Sequence, residues 1–215
     1  MLFVDSSDPA EVRAIFAWGS VSGTTTNPLL LAKDGASAVE PRIRELLAVS
    51  AGPMSVQVLS DARSPMAEEA AALRAIDPAR VVVKLPPTEA GITVATDLAR
   101  GGADVNVTAC MSLQQAYLAA LAGARYVSVF WGRIRDMGYD AAAVVGPLRS
   151  LLDREGLDTR IIAGSMRQPI DVTEALLAGA HVVTVTPPIL RKMLVHPKTA
   201  ETLREFSDAW TKRSG

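Results

Sequence analysis

What most constrains this chain is a repeated alternation. Short apolar or β-branched runs are each followed by a stretch of helical period, and the pattern recurs eight times. Candidate strands occupy residues 2–5, 23–27, 54–59, 81–85, 104–109, 126–131, 160–164 and 181–185. Helices are expected from Asp8-Pro9 and Ser64-Pro65, where a capping side chain precedes a proline suited to the first helical position. Others are expected over 37–49, 88–100, 113–122, 141–154, 169–178 and 188–194, with a polar loop after residue 131. A final amphipathic helix is expected over 198–212. Connections as short as Gly101-Gly102 and Gly179-Ala180 imply parallel strands joined by right-handed crossovers.

Eight such units predict one α/β domain over residues 1–215, a closed (β/α)8 TIM barrel with an extra C-terminal helix. The rival is an open, doubly wound sheet. It is disfavoured because no Gly-rich dinucleotide fingerprint follows the first strand. No linker or low-complexity stretch divides the 215 residues.

In such a barrel the active site lies at the C-terminal ends of the strands. Polar residues fall at or near those ends on nearly every strand: Asp5, Thr26, Asn27, Gln57, Lys84, Asn106, Thr108, Ser128, Arg133, Ser165 and Arg167. Taken singly, each has an ordinary explanation. Asp5 and Ser165 would cap helices, and Asn27 before Pro28 would make a turn. Converging on one mouth, they are better explained as a site.

Lys84 is the most informative of them. It interrupts the apolar run Val81-Val82-Val83-Lys84-Leu85. At a strand tip it would simply reach out to water. Buried, it would be pushed toward the neutral amine, which can attack a ketone carbon and form a Schiff base. Cleaving the neighbouring carbon–carbon bond then needs a base, and Asp5 is the one acid among these strand-end residues for that work. Asn27, Asn106 and Ser128 would hold substrate hydroxyls, and Thr108 would position a water. Arg133, Ser165 and Arg167, with the backbone donors of a helix N-terminus near Ser165, make a plausible phosphate clamp. Arg135 reads as a solvated charge, and His181 and His196 as structural or surface residues.

The balance of 22 basic and 23 acidic residues leaves no basic field for nucleic acid. One cysteine, Cys110, rules out an intrachain disulfide, and two distant histidines give no zinc pattern. The first residues lack the charged and apolar regions of a signal peptide. No apolar run is long enough to span a bilayer, so a cytoplasmic protein is expected.

The chain resembles the short transaldolase and fructose-6-phosphate aldolase family. The resemblance is carried, in order, by Phe3-Val4-Asp5-Ser6-Ser7, Gly23-Thr24-Thr25-Thr26-Asn27-Pro28, Val82-Val83-Lys84-Leu85-Pro86, Asn106-Val107-Thr108, Gly132-Arg133-Ile134 and Ile161-Ile162-Ala163-Gly164-Ser165-Met166-Arg167. It implies that Lys84 forms the Schiff base and that Asp5 is the acid–base residue. Asn27, Asn106 and Ser128 would contact substrate, Thr108 the catalytic water, and Arg133, Ser165 and Arg167 the phosphate.

Two positions divide the family. Transaldolases resemble one another in a glutamate on the third strand and a phenylalanine on the sixth, and the aldolases in a glutamine and a tyrosine. This chain has Gln57 and Phe130, one of each. Phe130 lacks the aldolase phenol. Gln57 can position a water but cannot share a proton with it. Val129 stands where a proline is common. The expectation is a transaldolase that moves a dihydroxyacetone unit from fructose 6-phosphate or sedoheptulose 7-phosphate to an aldose phosphate. The alternatives are an aldolase releasing free dihydroxyacetone and an idle sugar-phosphate binder. The resemblance implies no metal, no organic cofactor, no nucleic acid or membrane partner, and a homo-oligomer, pentamer or decamer. The stripe Leu203, Phe206 and Trp210 on the last helix would pack on a neighbouring copy or on its own barrel.

Overall fold

The computed structural model describes residues 1–35 and 38–213. The strands are β1 (Leu2–Asp5), β2 (Thr24–Thr25), β3 (Met54–Gln57), β4 (Val81–Leu85), β5 (Val105–Cys110), β6 (Tyr126–Val129), β7 (Arg160–Ala163) and β8 (Val182–Val185). They pair in chain order, all parallel, and β8 closes on β1. The chain is therefore a single α/β TIM-type barrel. The helices are α1 (Pro9–Phe16), α2 (Pro28–Lys33), α3 (Val39–Val49), α4 (Arg63–Ile76), α5 (Glu89–Arg100) and α6 (Leu113–Leu121). They continue with α7 (Trp131–Asp136), α8 (Ala142–Glu155), α9 (Pro169–Leu177), α10 (Pro187–Met193) and α11 (Pro197–Lys212). Residue 37, where the third helix was expected to begin, lies outside the described residues.

Two helices were not expected. The second strand stops at Thr25, because Asn27 turns the chain and caps α2 by accepting from the Leu30 amide at 3.1 Å. The sixth strand stops at Val129, and α7 replaces the expected polar loop.

Two apolar layers follow from the strand period. Outward residues such as Val4, Val83, Val107 and Ile161 pack with the helices in the main core. Each fully buried aliphatic side chain there contributes about 1.5–3 kcal/mol. Phe3, Val82, Tyr126, Ile162 and Val182 form a separate cluster. Phe3 on β1 meets Tyr126 on β6, across the barrel, edge to face at 6.3 Å. This cluster is thus a plug inside the lumen. Gly23 makes room for it, since a Cβ there would stand 2.6 Å from the Phe3 ring.

The histidines and the thiol stand apart from the lumen. His181 Nδ1 accepts from the Ile161 amide at 2.9 Å, and His196 caps α11. Cys110 is buried, and burial pushes its thiol up to about 12. Leu203, Phe206 and Trp210 are 61–65% exposed, so the stripe on α11 does not pack on its own barrel. Among the described residues, no helix is long and apolar enough to cross a membrane.

Candidate active site

Two residues beyond each member of the lumen plug, the next inward positions are Asp5, Lys84, Ser128, Gly164 and Thr184. All five line one cavity of about 380 Å³ at the C-terminal mouth. Thr25, Gln57 and Thr108 complete its inner wall. The apolar plug closes the floor, and the polar layer begins directly above it.

Lys84 is 4% exposed, and its Nζ donates to the Thr26 carbonyl at 2.9 Å. That partner is neutral, so it places the amine without fixing a proton on it. Desolvation holds the Lys84 amine below its usual range, and the nearby Asp5 charge partly offsets this. Asp5 is shifted the other way: burial raises its carboxyl, against the opposing pull of Lys84 and of the Thr25 hydroxyl, which donates to Oδ1 at 2.7 Å. Burial thus drives both groups toward neutrality, while their mutual attraction resists. A neutral amine and a carboxyl able to carry a proton are the two forms that Schiff-base chemistry needs.

The wall beside Lys84 is shaped by a β-bulge. The register of β5 against β6 shifts between Val107 and Cys110, and Ala109 has φ 60°. Thr108 and Ala109 consequently both face the cavity, where strict alternation would allow one. The Thr108 hydroxyl is buried and has no protein partner. It is free to hold a water or a substrate oxygen.

At the rim, Arg133 on α7 and Ser165 after β7 face the cavity together. Ser165 adopts φ 63°, and Gly132 is what lets the two segments meet: a Cβ there would lie 1.9 Å from the Ser165 carbonyl oxygen. The Arg133 guanidinium sits 5.9 Å from the centre of the Phe130 ring, which props it toward the mouth.

The sequence model of the transaldolase/fructose-6-phosphate aldolase family matches residues 2–214. The chain belongs to the transaldolase/fructose-6-phosphate aldolase family. A probable transaldolase of Pelotomaculum thermopropionicum is 39% identical over 98% of this chain and 97% of its own length. One of Desulforudis audaxviator is 41% identical with the same coverages. One of Rhodospirillum centenum is 40% identical over 98% of this chain and 90% of its own. Among solved structures, a flavocytochrome b2 variant with sulfite bound superposes with a TM-score of 0.58 at 13% identity. That match covers 87% of this chain and 56% of the other, and it speaks for the barrel fold alone.

Of the residues expected from the transaldolase–aldolase motifs, Asp5, Asn27, Gln57, Lys84, Thr108, Ser128, Phe130, Arg133 and Ser165 line the cavity. Three stand elsewhere. Thr26 contributes only its carbonyl. Its neighbour Thr25, in register with Asp5, is the inward threonine. Asn106 is fully buried one layer below, accepting from the Ser128 hydroxyl at 2.8 Å and donating to Ser55 at 3.2 Å. Arg167 is half-exposed and bonded to Asp136 at 2.6 Å, outside the cavity wall.

The backbone donors expected at the helix after Ser165 are also occupied. The amides of Arg167 and Gln168 donate to Asp171 Oδ2 at 2.8 and 2.9 Å. Arg135 is not a free surface charge either. It bridges Asp171 and Glu174 and so ties α7 to α9.

Thr25, Thr184 and Ser55 escaped the sequence reading. Counting two residues back from Gln57 on β3 would have marked Ser55 as inward. The other two carry no local signal, because threonine is an ordinary strand residue.

Proposed function

We propose that this chain is a transaldolase that carries a dihydroxyacetone unit on Lys84. The observation that supports it best is the buried amine of Lys84, hydrogen-bonded to a neutral carbonyl and sharing one cavity with Asp5. The neutral amine attacks the ketose C2 carbonyl and water leaves, forming an iminium. Asp5 removes the proton of the C4 hydroxyl. The C3–C4 bond breaks, its electrons flow into the iminium to give an enamine, and the first aldehyde departs. An acceptor aldehyde then takes the enamine's electrons, Asp5 returns the proton, and water releases the new ketose. Thr108 and Gln57 position that water, and Arg133 with Ser165 receives the phosphate. Donors are fructose 6-phosphate or sedoheptulose 7-phosphate, with aldose phosphates as acceptors.

Phe130 supports transfer over release. A hydrocarbon ring lining the same cavity as Lys84 offers no proton to the enamine, so the three-carbon unit waits for an aldehyde. Gln57 is the feature that favours the aldolase alternative. The two readings separate on acceptor dependence. With fructose 6-phosphate alone, a transaldolase stalls after one turnover, and adding erythrose 4-phosphate, an aldehyde that this donor does not itself release, restores steady turnover. Steady release of dihydroxyacetone without any acceptor would sink the transfer reading.

The rim yields a prediction of its own. Asp136 holds Arg167 outside the cavity wall, and without that ion pair the guanidinium can turn toward a phosphate bound at Arg133 and Ser165. Asp136→Asn is therefore expected to lower KM for phosphorylated donors by about two- to fivefold, the scale of an exposed ion pair. KM for a donor without a phosphate should stay unchanged, and initial rates with both donors check this. The reading also includes a homo-oligomer, pentamer or decamer, in the cytoplasm. The unpartnered stripe of α11 supports assembly.

A further inference from the structure

We infer that Thr184 is a positioning residue for Asp5: its hydroxyl donates to Thr25, whose hydroxyl in turn donates to the Asp5 carboxylate. The inference rests on the assignment of Asp5 as the acid–base group. Thr25 Oγ1 lies 2.7 Å from Asp5 Oδ1 and 2.6 Å from Thr184 Oγ1. Thr25 and Thr184 are 2% and 7% exposed, so water competes little for either hydroxyl. They come from β2 and β8, the two strands that flank β1.

Charge sets the direction of this chain. An ionised carboxylate can only accept. The single hydrogen of Thr25 therefore points at Asp5, and the hydrogen between the two threonines has to come from Thr184. Such a chain polarises along its length, so the outer donor strengthens the inner bond. Thr25 stays bonded to Oδ1 while the other carboxyl oxygen takes the substrate proton and later returns it. The carboxyl thus keeps one orientation in both halves of the reaction, Oδ1 anchored and the second oxygen toward the substrate, because Thr184 holds the Thr25 hydroxyl in its donating direction.

The test is the pH dependence of kcat for three-carbon transfer in the intact protein. In kcat, Lys84 is already tied up in the covalent linkage, so the fall in rate at low pH reports Asp5. The other charged groups on the cavity wall, Lys84 from β4 and Arg133 from α7, are unaltered by the substitutions. Thr184→Val keeps the shape and removes the hydroxyl. Loss of a hydrogen bond to the charged form makes Asp5 harder to ionise, so the acid limb moves to higher pH by roughly half a unit to one unit. At neutral pH kcat drops about five- to tenfold, KM for the donor holds, and Thr184→Ser restores both rate and limb. An acid limb of Thr184→Val at the unaltered pH overturns the inference, whatever its rate. If Thr184→Val does not fold, Thr184→Ala removes the same hydroxyl and is read on the same profile. Asp5→Asn separates the two levels of the reading. Retained transfer in that variant overturns the role of Asp5 itself. Lost transfer there, with an unmoved limb in the Thr184 variant, overturns only the role of Thr184.

Discussion

A Lys84→Met variant treated with fructose 6-phosphate and borohydride gains no mass, whereas the unaltered protein gains a reduced three-carbon adduct. Steady transfer by the variant falls by roughly a thousandfold or more, because among the described residues lining the cavity Lys84 is the one lysine. Intact-protein mass spectrometry reads the adduct directly, and an adduct surviving in the variant would remove Lys84 from its role. The fold is expected to persist. Methionine fills the same slot and removes the desolvation cost of a buried amine, so its melting temperature at neutral pH is no lower.

Linkage supplies an independent check on the same residue. Desolvation holds Lys84 below its ordinary value in the folded state, so between the lowered value and the ordinary one the folded protein binds fewer protons than the unfolded one. Stability contributed through Lys84 therefore rises as pH climbs toward the usual lysine range, and is lower where the amine must stay charged. Asp5, raised in the fold, acts in the opposite sense: its contribution falls as pH rises from the ordinary aspartate value through the raised one. Lys84→Met should lose the first trend and keep the second, as melts across pH would show.

The second large effect is expected from Gly132→Ala. A Cβ at this position would meet the Ser165 carbonyl oxygen at 1.9 Å and its carbon at 3.1 Å. Both are backbone atoms, and Ser165 is already held at φ 63°, so neither can swing aside as a flexible side chain would. Either α7 or the segment after β7 must move. Stability should drop by about 1–3 kcal/mol, the scale of overpacking. The same displacement separates Arg133 from Ser165, so KM for a phosphorylated donor rises at least about tenfold while a donor without phosphate is affected less. Urea unfolding and the two KM values check it. Unchanged stability together with an unchanged KM ratio would show that Gly132 is not the seat of the rim.

Period and spacing carried a large part of this protein. The alternation of short strands and helices was enough to imply the closed eightfold barrel. Position at the C-terminal strand ends was enough to group Asp5, Gln57, Lys84 and Ser128 at one mouth, because in a closed parallel barrel those ends all open on the same side. Tertiary structure decided what depends on neighbours. The strand register with Asp5 turned Thr25 inward and Thr26 outward. The bulge at Ala109 brought Thr108 and its neighbour to the same wall. Asp136 and Asp171 captured Arg167 and the amides that sequence had offered to a phosphate. Strand parity is written into the chain residue by residue. The choice of partner for a charge, an amide or a hydroxyl is made only when distant segments meet, and that choice separates a cavity wall from the support behind it.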